Sequence, residues 1–151
     1  MGHYDFKRDL ANAQKTEKEV SAILRDYHNI DTIAFNKTSD YDLLCVDEHG
    51  MEVTYEIKED FLCRYTGNVG LVFECRGKSS GIVTSKAYYF IYKVHTANGV
   101  RFILHKTPIL RDMVNEEKYF RIVNGGDKNS NSMNYLFRYE VFAETGEDIT
   151  P

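Results

Sequence analysis

Tryptophan is missing from these 151 residues, and cysteine appears only three times. Also missing is any apolar run near the ~20 residues of a membrane span. The opening MGHYDFKRDL has no apolar core of the kind a signal peptide needs, so a cytoplasmic protein without membrane contact is expected. Cys45, Cys63 and Cys75 are odd in number, scattered and without CxxC spacing, which argues against a disulfide framework or a zinc site. Each adjoins apolar residues and reads as buried filler in a reduced protein. Excess positive charge is missing too: the net charge of −4 excludes a basic coat that holds nucleic acid everywhere, while leaving room for a local basic groove. No internal repeat or linker interrupts the chain, and its length suits a single domain over residues 1–151.

What the chain does contain is helix and strand periodicity in alternating blocks. Residues 6–28 carry Leu10, Ala13, Val20, Ile23, Leu24 and Tyr27 at helical spacing. They predict one helix or a kinked pair, since Thr16 with Glu19 three positions on makes a capping box. Strands follow at 32–35, 41–46 and 51–58, with a turn-rich loop at 36–40 and a hairpin turn around 47–50. After a loop over about 60–68 come an apolar strand at 69–75, the surface turn GKSSG at 77–81, and strands at 86–94 and 101–105. Pro108 suits a first helical turn, so Thr107 is expected to cap a helix over about 108–118. The last third holds a short apolar segment at 119–123, a polar loop at 124–132 and a strand at 134–142, and residues 143–151 look frayed. The class is α/β with a mixed central sheet.

One hairpin carries the chemistry. In YEIK, residues 55–58, alternation places Thr54, Glu56 and Lys58 on one face of the strand and Val53, Tyr55 and Ile57 on the other. A three-residue loop Glu48-His49-Gly50, with glycine left-handed, sets 47 opposite 51, 44 opposite 54 and 42 opposite 56. Asp42 then shares a face with Glu56, with roughly 5 Å between their Cβ atoms. Facing carboxylates repel, and a divalent cation removes the objection: Mg²⁺ binds one or two carboxylates, keeps several waters and meets phosphate oxygens. Lys58 stands about 6.6 Å further along the same face. From there it can orient or deprotonate the attacking water, or meet the charge growing on a phosphate. The plain alternative is a solvated strand face.

Glu17 lies on the flank of the helical stripe, where an acid is costly unless paired or bound to a metal; it can equally be a first-turn acid that favours the helix dipole. Glu19 points about 200° away from it and reads as solvated. Lys78, Ser79, Ser80, Thr84, Ser85 and Lys86 are residue types that contact a nucleic-acid backbone without reading bases; an ordinary polar turn is the alternative.

The segments TEKEVSAIL, YDLL and YEIK together resemble the PD-(D/E)XK nuclease superfamily, which includes restriction-enzyme-like folds and Holliday-junction resolvases. The segment YTGNVGLVFECRGKSSGIVTSKAYYFIY is similar to small phage-type members, and the resemblance covers roughly residues 10–94. It implies a restriction-endonuclease-like αβββαβ core with a mixed sheet flanked by helices. Glu17 matches the first-helix glutamate, Asp42 the metal-binding aspartate, and Glu56 with Lys58 the ExK element. Tyr41 stands where the motif's proline would be. The resemblance further implies Glu74 as an accessory site residue, although a salt bridge to Arg76 or Lys78 explains it as well. It also implies Mg²⁺ (with Mn²⁺ able to substitute), DNA as partner, a homodimer, and a bacterial or phage-infected cell. The expected activity is metal-dependent endonucleolytic hydrolysis of DNA, on branched or junction substrates. A non-cutting nucleic-acid-binding module and a dimeric interaction protein of the same fold are the alternatives.

Overall fold

The computed structural model describes residues 6–36, 40–125 and 131–151, so the loops expected at 36–40 and 124–132 lie partly outside the described residues. Helix α1 (Phe6–His28) is one unbroken helix, as a segment free of glycine and proline allows. Asn29 ends it in the left-handed conformation, and the Ile30 N–H returns to the Leu24 carbonyl at 3.0 Å. Three strands follow: β1 (Asp31–Phe35), β2 (Leu43–Val46) and β3 (Glu52–Asp60). Next come the one-turn helix α2 (Cys63–Thr66) and strands β4 (Asn68–Cys75), β5 (Lys78–Ser79), β6 (Tyr89–Thr96) and β7 (Gly99–Lys106). Helix α3 (Thr107–Asn115), β8 (Arg121–Gly125), β9 (Ser132–Arg138), α4 (Tyr139–Glu144) and β10 (Glu147–Asp148) complete the chain.

The class is α/β with a mixed sheet, but the strands divide between two sheets instead of one. A six-stranded sheet runs β1-β2-β3-β6-β7-β10, and a four-stranded sheet runs β5-β4-β9-β8. Every pairing is antiparallel except β3 with β6. Alternation along the large sheet feeds two apolar layers. On one face Leu43, Cys45, Tyr55 and Ile91 pack under Val20, Ile23 and Leu24 of α1. On the other, Phe90, Tyr92, Val94 and Ile103 meet Val69, Leu71 and Phe137 of the small sheet, with Leu110 and Met113 of α3 and Phe142 of α4.

Several expectations are corrected. Leu10, Ala13 and Tyr27 are exposed, because only the middle of the helical stripe lies over the sheet. Thr16 caps nothing; it is buried inside α1 and its hydroxyl donates to Glu59 at 2.8 Å. Thr107 is not a cap either but the first helical residue, with its hydroxyl donating to the Ala87 carbonyl at 2.7 Å. The strand expected to reach Phe142 stops at Arg138, and α4 turns Phe142 into the core. The tail expected to fray is held. Glu147 pairs with Leu104 and Asp148 with Ile103, the Ile149 N–H donates to Phe102 at 2.8 Å, and Ile149 is 6 % exposed. No helix among the described residues is long and apolar enough to cross a membrane.

Candidate active site

The β2–β3 hairpin forms with the expected three-residue loop. Gly50 is left-handed at φ 78°, and Asp47 Oδ1 accepts from the His49 and Met51 N–H groups at 2.9 Å each. Leu44 pairs with Thr54 and Leu43 with Tyr55, the register reached by counting back from the turn. Asp42 lies just before β2. Its N–H donates to the Tyr55 carbonyl at 2.9 Å, and its Oδ2 accepts from the Ile57 N–H at 2.7 Å. A backbone donor beyond the end of β2 is thus satisfied by a carboxylate, which fixes where that carboxylate sits.

Glu56 is held from three sides. Ser85 donates to its Oε1 at 2.9 Å, Lys58 Nζ stands 3.6 Å from its Oε2, and the Asp42 carboxylate is within hydrogen-bonding reach. Burial pushes the Glu56 carboxyl up to about 7; Lys58 and the Ser85 hydroxyl pull it down, while Asp42 pushes it further up. Glu17, half-buried on α1, is also raised, first by burial and then by the charge of Asp42. The four residues singled out in the sequence therefore converge.

They open into a cleft of about 720 Å³. Asn12, Thr16 and Glu17 of α1 form one wall, the end of β3 the floor, and Gly70, Asn134 and Leu136 of the small sheet the other wall. The small sheet thus has two uses: Val69, Leu71 and Phe137 enter the core, and Asn68, Gly70, Asn134 and Leu136, alternating with them on β4 and β9, face the cleft.

The expected backbone-contact residues fare differently. Ser85 is 5 % exposed and holds Glu56, so it is not a free phosphate contact. Arg111 of α3 pins its loop, donating to the Ser85 carbonyl at 2.9 Å and the Ile82 carbonyl at 3.2 Å. Lys78, Ser79, Thr84 and Lys86 are exposed and Ser80 half-buried, and none of them lines the cleft. Lys86 Nζ stands 3.8 Å from Asp40. Glu74 pairs within the small sheet against Ser79 and Met133 and lies outside the cleft lining. Among the described residues it forms no ion pair with Arg76 or Lys78.

Sequence reasoning missed a second polar cluster on the α1 side of the sheet. Lys93 of β6, 8 % exposed, reaches Glu19 at 2.7 Å and Glu59 at 3.7 Å. Glu59 also accepts from Thr16 and meets His95 Nε2 at 2.7 Å, and Phe61 stacks on the His95 ring at 4.7 Å. Glu19 is therefore paired, not solvated. The signal was a lysine and a histidine alternating with isoleucine on a strand whose other face is Phe90, Tyr92 and Val94. Asp60 was missed as well: its carboxylate accepts from the Leu62, Cys63 and Gly70 N–H groups at 3.0 Å each, fixing the turn at the mouth of the cleft.

The donor set suits a hard divalent cation. Of the two carboxylates, Glu56 is raised toward neutrality first by burial and further by the charge of Asp42, and a cation between them relieves both costs. Among the described residues no three His, Cys, Asp or Glu side chains are arranged as a metal cage, so the fit is to a partly hydrated ion on two carboxylates. A scan against models of known protein families finds no match to this chain, and a search of curated proteins finds none either.

Proposed function

We propose that the cleft hydrolyses DNA phosphodiester bonds with the help of a divalent cation, Mg²⁺ or Mn²⁺, held by Asp42 and Glu56. The observation that carries this reading is the contact between two carboxylates beside a lysine, on the floor of a cleft wide enough for a nucleotide. Bound there, the ion would act as a Lewis acid toward a phosphate oxygen and make water acidic enough to attack. The chain's own residues supply the rest. Ser85 and the Ile57 N–H orient the two carboxylates, and Lys58 presents a positive charge where the phosphate gains negative charge. Glu17 stands across the cleft as a proton acceptor. The antiparallel β1-β2-β3 unit, with β6 parallel beside β3, is in keeping with the αβββαβ order that the PD-(D/E)XK resemblance implies. One departure is the crossover from β3 to β6, which holds a single-turn helix and two strands of the small sheet in place of a full helix.

The test incubates the protein with linear, nicked, flapped and four-way-junction DNA, in Mg²⁺ and in EDTA. Cleavage in Mg²⁺ alone is expected. Glu56→Gln should abolish it with DNA binding equal or tighter, because the variant loses a ligand charge that also repels phosphate. Lys58→Ala should slow cleavage by roughly 10²–10³-fold, the loss that follows removal of one transition-state partner, and weaken binding modestly. Wild-type rates for Glu56→Gln would end this reading.

A further inference from the structure

Asn134 sits in the middle of β9, on the cleft wall facing the β3 floor. The residue is 8 % exposed, yet its amide is not among the buried unpartnered polar groups, of which His105 Nδ1 is the one described. Its side chain lines the cleft, with no hydrogen bond to another described side chain. A structural asparagine would use its amide on the protein, whereas this one is left for what enters the cleft. The neighbouring strands instead leave it room. A methyl group at Gly70 on β4 would stand 3.0 Å from Asn134 Oδ1, and one at Gly125 on β8 would stand 3.4 Å from Nδ2. Both ends of the amide are therefore flanked by glycines.

The cleft is chemically divided. Among the described residues that line it, Lys58 at the carboxylate end is the only lysine or arginine, so a phosphate belongs there. Among the described residues the Asn134 end has no cation; it has a paired donor and acceptor in one plane, bordered by Val72 and Leu136. A phosphate presents only acceptors and cannot use both halves of the amide. A nucleobase edge can: asparagine pairs two-fold with the adjacent donor and acceptor of adenine. A duplex is too broad to bring a base edge to a side chain this buried, whereas a single unstacked base fits, with its faces against apolar side chains.

We infer that Asn134 reads an unpaired nucleobase, adenine by preference, on the DNA strand whose phosphate lies at Asp42 and Glu56. This rests on the cleft being a DNA site but not on its cutting DNA. The test is equilibrium binding, in EDTA, of short single-stranded oligonucleotides of each base and of an abasic strand of equal length. The wild type is expected to bind the adenine strand roughly tenfold more tightly than the abasic one, the discrimination a single two-fold amide–base contact supplies. Asn134→Ala should bring the adenine strand down to the abasic level and leave abasic binding unchanged. Asn134→Asp, which only accepts, should shift the preference to cytosine, and Gly70→Ala should weaken the adenine preference by crowding Oδ1. Thermal melts identify any variant that fails to fold; the remaining two then carry the comparison. Equal wild-type binding of abasic and adenine strands overturns the inference, as does an Asn134→Asp protein that still prefers adenine. An adenine preference in a protein that never cleaves keeps the inference and sinks hydrolysis, whereas cleavage without base preference does the reverse.

Discussion

Glu56 and His105 hold their protons in opposite ways, and both departures are set by burial. His105 is 1 % exposed, its Nε2–H donates to the Phe142 carbonyl at 2.8 Å, and its buried Nδ1 has no partner among the described residues. A second proton there would be charged and unbonded, so burial pushes the imidazole down from 6.5 to about 4, with the Phe142 bond opposing weakly. The neutral histidine thus contributes stability above pH 6.5 that is lost as pH falls through about 4. Glu56 runs the other way: raised from 4.5 to about 7, it contributes stability below pH 4.5 that is lost as pH rises through about 7. Each shift corresponds to about 3 kcal/mol, and between roughly pH 4.5 and 6.5 the two nearly cancel. Denaturant titrations without divalent cations should show little pH dependence from this pair in the wild type, whereas Glu56→Gln should gain about 3 kcal/mol between pH 4 and 6.5. A variant as flat as the wild type would disprove the opposition. The carboxylate pair was legible in the sequence because a hairpin register is counted from its own turn. Ser85 as the partner of Glu56 was not, since a contact across 29 residues leaves no local pattern.

Helix α1 is anchored by polar groups as much as by its apolar stripe. Val20, Ile23 and Leu24 enter the core, and Thr16 and Glu19, four and one positions before Val20, tie the helix to Glu59 and Lys93. Removing one partner of such a buried set leaves charge without compensation. Lys93→Met should therefore cost about 3 kcal/mol of unfolding free energy, and adding Glu59→Gln should return part of that loss. A double variant less stable than Lys93→Met would contradict the pairing. The length of α1 was readable from its periodicity and its lack of helix breakers. The exposure of Leu10 and Ala13 was not, because it depends on where the sheet beneath ends. The same limit explains β9 and α4: alternation reads smoothly through Tyr139 to Phe142, and only the packing of Phe142 against Tyr92 and Phe137 selects a helix. The tail looked frayed because its polar residues gain order only from β7, which lies forty-odd positions upstream.

The two sheets are interleaved along the chain, which a reading of local segments could not resolve into separate layers. β4 and β5 fall inside the connection between β3 and β6, and apart from the two-residue β5, β4 finds its partner in β9, where Asn68 meets Arg138 seventy positions later. Local pairings such as the β2–β3 hairpin close cheaply, and distant ones must first meet the entropy of a long loop. Leu43→Ala, beside the hairpin, is expected mainly to slow refolding, and Leu71→Ala on β4 mainly to speed unfolding. Both are buried and should lose about 2–5 kcal/mol. Stopped-flow refolding and unfolding rates separate the two cases, and a Leu71→Ala protein that loses its stability through the folding rate would reverse this order. Ser85 rides on a loop that hydrogen-bonds back to β4, through Ile82 to Val72 and Ser80 to Phe73. The hairpin can therefore bring Asp42 and Glu56 together while water still surrounds both. The burial that raises the Glu56 carboxyl comes in part from the small sheet across the cleft, so refolding near neutral pH is expected to draw a proton from solution, late rather than early.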